Sequence, residues 1–110
     1  MSRALWQKLG YAPDTVAVLD EAPDGYRQLV AGRPETVRFA SLDDRPTLVH
    51  HFTTDADGLG ARLAVFADAI DRDGAIWVSW PKKSSGVETD MSGDAVRAAA
   101  LPLGLVDVNR

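Results

Sequence analysis

Four short apolar runs set apart by amphipathic segments constrain this chain more than any other feature. The runs are TVAVL at 15–19, a second around 36–40, TLVHHFT at 47–53 and AIWVSW at 75–80. Each has strand length, and TVAVL and AIWVSW are apolar almost throughout, as expected of strands buried on both faces. The segments between them keep helical spacing. Tyr26, Leu29 and Val30 share one face, and Leu59, Leu63, Phe66, Ala67 and Ile70 share another. Strands alternating with helices imply a parallel sheet with helices on both sides.

Helix signals bracket the remaining segments. Ser2 can cap a first short helix that Gly10 ends, with Leu5, Trp6 and Leu9 on one face. A helix over about 25–31 follows Pro23-Asp24, and Gly32 stops it. Asp55 and Asp57 precede a helix that runs to about Asp71, at the end where the macrodipole favours acids. Residues 41–46 are polar and too short for a helix. Asp90 or Ser92 caps a last helix to about Leu101, Pro102 and Gly104 end it, and Leu105–Val108 begins a fifth strand. The expected fold is a three-layer, Rossmann-like α/β domain over residues 1–110, with a helical arm at 1–14 and the sheet core at 15–110. Right-handed crossovers give strand order 2-1-3-4-5, with the reversal between strands 1 and 3.

Length and charge bound the function. At 110 residues there is room for one domain, and 45% hydrophobic with 25% charged residues is ordinary globular composition. With no cysteine, disulfides and thiolate chemistry are excluded, which fits a reducing compartment. No apolar run approaches the ~20 residues of a membrane span, and the first ten residues lack a secretory core, so a cytoplasmic protein is expected. A net charge of −4 argues against nucleic acid as a partner.

From Ala75 the chain reads AIWVSWPKKSSGVETDMSGDAVRAAALPLGLVDV, and this resembles the bacterial family called domain of unknown function 3052. The resemblance rests on Trp80, Pro81, Lys82, Lys83, Ser84, Gly86, Thr89, Asp90 and Leu101–Asp107, with Lys8-Leu9-Gly10 and DEAPDGY at 20–26 in support. It implies a fold and no established activity, so it transfers no catalytic residue and leaves any cofactor unknown. Members of that family continue past the Val-Asp run, so the last strand is expected to be shortened here. The middle of the chain also resembles the later half of Rossmann-like methyltransferases. Those follow their first strand with a glycine-rich turn, whereas here the turn is Asp20-Glu21-Ala22-Pro23-Asp24-Gly25, and neither a G-x-G-x-x-G fingerprint nor a P-loop occurs.

Ligands of such sheets bind at the carboxyl ends of the strands, beside the reversal. Three loops meet there, at 20–25, 53–58 and 81–89. The third offers Lys82, Lys83, Ser84, Ser85 and Gly86, whose ammonium groups, hydroxyls and backbone can hold a phosphate or carboxylate. The first offers Asp20, Glu21 and Asp24 for ribose hydroxyls or a divalent metal, although acids there also suit a helix start. His50 and His51 are adjacent on a strand, so they face opposite sides and cannot chelate one metal together. Each is expected to hydrogen-bond a neighbour, and no third ligand has suitable spacing. Trp77 and Trp80 should also face opposite sides, and Trp6 should staple the arm to the core. No G-x-S-x-G elbow surrounds Ser79, Ser84 or Ser85. The leading expectation is a non-catalytic binding or regulatory module for a small anion or nucleotide. The alternatives are a methyltransferase-like transferase and a protein-interaction domain that forms a homodimer through an exposed last strand.

Overall fold

A computed structural model of the chain describes residues 4–81, Gly86 and residues 89–105. Four strands, β1 (Val16–Asp20), β2 (Arg38–Phe39), β3 (Leu48–Phe52) and β4 (Ala75–Ser79), form one parallel sheet in the order β2-β1-β3-β4. The helices are α1 (Leu5–Lys8), α2 (Tyr26–Leu29), α3 (Leu59–Ala69) and α4 (Gly93–Ala100), with short 3-10 turns at Leu42–Asp44 and Leu101–Leu103. The α/β class and the reversal between β1 and β3 match the expected topology. The expected fifth strand falls mostly on residues 106–108, outside the described residues, as does the expected cap Ser2.

Two cores make three layers. On one face, Leu9, Tyr11, Tyr26 and Val30 pack with Ala17 and Leu48. On the other, Leu59, Leu63, Phe66, Met91 and Ala100 pack with Val18 and Val49. The central strand β3 is buried at four of its five positions, His50 and His51 included, which is why its sequence shows no polar–apolar alternation. Trp77 joins the first core and Trp80 the second, on opposite sides as their spacing requires. The Trp77 indole donates to the Leu9 carbonyl at 2.7 Å and so ties the N-terminal arm to β4, while Trp6 packs on the same core.

Several boundaries are tighter than the sequence suggests. β2 has only Arg38–Phe39 paired with β1, and among the described strands it is an edge of the sheet. Helix α2 is one turn long, so Leu29 does not share the buried face of Tyr26 and Val30 but stands 57% exposed. The chain at 41–46 is not wholly irregular, since the Ser41 amide and hydroxyl both donate to Asp44 and close the 3-10 turn. At α4, Ser92 is the cap, accepting from the Ala95 amide at 3.1 Å, while Asp90 serves elsewhere.

The turn into β4 depends on a missing side chain. A Cβ on Gly74 would lie 3.0 Å from the carbonyl oxygens of both Asp71 and Thr47. Both are backbone atoms and neither can rotate away. Gly74→Ala is therefore expected to lower stability by about 1–3 kcal/mol, read as a lower urea midpoint.

Candidate functional site

A cleft of about 920 Å³ opens at the carboxyl ends of β1, β3 and β4, against the strand reversal. It is built from loops 20–23 and 53–58, the end of β4 and the first turns of α3. Loop 53–58 is pinned from behind. Asp90 accepts from the Ala56 amide at 2.7 Å, and the Thr89 hydroxyl donates to the Thr54 carbonyl at 2.6 Å. Gly58 turns the chain into α3 with φ of +79°, and Glu21 also sits in the left-handed region with φ of +58°. For a non-glycine residue that backbone is strained, and it falls directly after the last residue of β1.

The register of the sheet assembles the polar groups. Asp20 pairs with His51 across β1 and β3, and the two side chains meet on the α3 side of the sheet. His51 Nδ1 lies 2.6 Å from Asp20 Oδ2, and Arg62 Nη2 donates to Asp20 Oδ1 at 2.8 Å. His51 is buried, with its ring 5.3 Å from that of Phe66, and the Arg62 guanidinium stands 5.0 Å over the same phenyl ring. One aromatic thus supports both partners of the carboxylate. Each Asp20 oxygen keeps a further lone pair, and the side chain is 22% exposed, so it can still accept from a ligand.

On the opposite side of the sheet, His50 Nε2 lies 2.7 Å from Ser79 Oγ, and His50 Nδ1 lies 2.8 Å from the Tyr26 hydroxyl. Phe52 stacks on the His50 ring at 4.3 Å. Burial, reinforced by neighbouring His51, depresses His50 from 6.5 to about 4, so the ring is neutral at pH 7. Ser79 and Trp80 both line the cleft, which therefore straddles the end of the sheet with one polar set from each face.

Of the residues singled out in the sequence, Asp20, Glu21 and Pro23 line the cleft, as do His51, Ser79 and Trp80. Asp24 is exposed and is not part of the lining. Gly86 is exposed, with φ of +80°, and a Cβ there would meet no described atom within 4 Å. Lys82, Lys83, Ser84 and Ser85 lie outside the described residues. The sequence reading missed Arg62, and it missed the pairing of Ser79 with His50. An arginine four positions past the Gly58 turn was the available signal for the first. Among the described residues, no group of three or more His, Cys, Asp or Glu side chains is placed to hold a metal ion, and no helix is long and apolar enough to cross a membrane. No family model, curated protein or solved structure matches this chain.

Proposed function

We propose that this domain is a non-catalytic binding module that holds a nucleotide or similar small anion in the cleft at the strand ends. The observation that carries the reading is the convergence of Asp20, His51, Arg62 and Ser79 on one cleft of small-molecule size at the strand reversal. The described lining is acidic on balance. Asp20, Glu21, Asp55 and Asp57 face Arg62 alone, and Arg62 is already paired. A ligand must therefore bring hydroxyl donors to the acids. Lys82 and Lys83, which follow Pro81 directly in sequence, supply the charge for a phosphate. A nucleotide meets both demands with its ribose and its phosphate. The resemblance to domain of unknown function 3052 belongs to the same proposal. A transferase using a nucleoside-type cofactor is less favoured, because Glu21, not glycine, occupies the strained turn after β1.

Thermal unfolding with AMP, ADP, S-adenosylmethionine and inorganic phosphate tests this. A nucleotide at a hundredfold excess over its Kd should stabilise the domain by about 2–3 kcal/mol. Asp20→Asn and the double variant Lys82→Ala/Lys83→Ala should each reduce the shift. No stabilisation by millimolar nucleotide, or an undiminished shift in both variants, overturns the proposal.

A further inference from the structure

Behind Ser79 a line of hydrogen bonds runs into the core on that face of the sheet as far as Tyr11. Tyr11 and Tyr26 hydroxyls are 2.9 Å apart, Tyr26 reaches His50 Nδ1 at 2.8 Å, and His50 Nε2 reaches Ser79 at 2.7 Å. The direction of the line decides what Ser79 can do. If Ser79 donates to His50, the two are a nucleophile and its base. If His50 donates to Ser79, no base is present and the serine hydrogen is free to point outward.

Counting hydrogens separates these cases. The neutral imidazole carries one N–H and the three hydroxyls one O–H each, so four hydrogens serve three links. If Tyr26 accepted from both neighbours, its own hydrogen would be buried at 3% exposure with no described partner beyond Tyr11 and His50, so one end of the line holds the surplus. Tyr11 is 3% exposed, and its hydroxyl has no described hydrogen-bond partner except Tyr26. A cation also lies on that side. Arg33 stands over the Phe39 ring, which in turn meets Tyr11 edge-on, and its charge acts on both phenols. An O–H directed that way meets a repelling charge and, among the described residues, no acceptor. The other end opens into the cleft.

We infer that the line runs from Tyr11 through Tyr26 and His50 to Ser79, so that Ser79 presents a hydroxyl donor to the ligand and does not act as a nucleophile. This rests on the cleft being the ligand site and adds to it a chemical requirement. The ligand places an acceptor, such as a phosphoryl or carbonyl oxygen or a bare ring nitrogen, against Ser79, and its hydroxyl donors against Asp20. A ligand that brings no acceptor to Ser79 leaves its outward O–H unpaired.

The tautomer of His50 is directly measurable. The chain has two histidines, so long-range proton–nitrogen correlation on histidine-labelled protein at neutral pH shows two rings, and His50→Gln assigns them. The expected result is a protonated Nε2 and an unprotonated Nδ1 on His50, and the reverse overturns the inference. Treatment with a fluorophosphonate followed by intact mass measurement should give no adduct. An adduct that disappears in Ser79→Ala overturns it independently. By calorimetry with AMP, Ser79→Ala should bind about 3–10-fold more weakly, the loss of one hydrogen bond. Unchanged affinity removes the ligand contact. If the parent protein does not bind AMP, phosphate or any related nucleotide, the cleft reading falls and takes the contact with it, while the tautomer still decides between donor and nucleophile.

Discussion

Phe66→Ala is expected to lower the unfolding free energy by about 3–5 kcal/mol, the range for deleting a fully buried aromatic. Phe66 is 0% exposed and sits in the middle of α3, packed into the core between that helix and β1 and β3. Alanine leaves a cavity that neighbouring backbone cannot fill, because the sheet below is held by its ladder. A domain of this length has a total stability of about 5–15 kcal/mol, so the variant should be marginal. The same ring supports His51 and Arg62, so nucleotide binding should weaken as well. Val65→Ala is the control. It lies on the same helix at 46% exposure and should change stability by no more than about 0.5 kcal/mol. Urea unfolding of both variants checks the pair. Similar losses in the two would mean that α3 does not rest on the sheet through Phe66.

Acid is expected to weaken the domain through His50 before its carboxylates titrate. The native ring holds its neutral form down to about 4, whereas the unfolded chain takes up a proton near 6.5. A group whose native pKa is depressed contributes fully above its unfolded value, and the contribution is lost as pH falls toward the native value. Between about pH 7 and pH 5 the loss is about 2 kcal/mol, from the ratio of the two binding polynomials. The cause is desolvation first, with the charge of His51 second. His50→Gln should start lower, since the links to Tyr26 and Ser79 are disturbed, but its stability should be nearly flat over that interval. Urea midpoints taken across the interval provide the measurement. Parallel slopes for parent and variant would show that His50 is not the titrating group.

Much of the fold was legible because it follows from local pattern. The apolar runs gave four of the strands, and the alternation rule put His50 and His51 on opposite faces and Trp77 and Trp80 likewise. The place of Asp20 at a strand end, lining the cleft, was legible from the sequence. What was not legible depends on register and on exposure. The Ser79–His50 and Asp20–His51 contacts join residues 29 and 31 positions apart, and both follow from pairings that a one-residue slip would destroy. Arg62 reads in sequence as one more charge on the solvent face of α3. Leu29 was misplaced because helical periodicity assumes a helix longer than one turn.

The pairing of β1 with β3 also governs how the chain reaches this state. Val16 and Thr47 exchange bonds across the intervening β2 segment, as the Thr47 amide donates to the Val16 carbonyl at 2.8 Å. Among the described strands no neighbour is reached by a hairpin, so each of these contacts closes a sizeable loop before it gains anything. Assembly must therefore be slow compared with that of a helical bundle of equal length. Until β3 docks, the first crossover unit has no second wall to hold it.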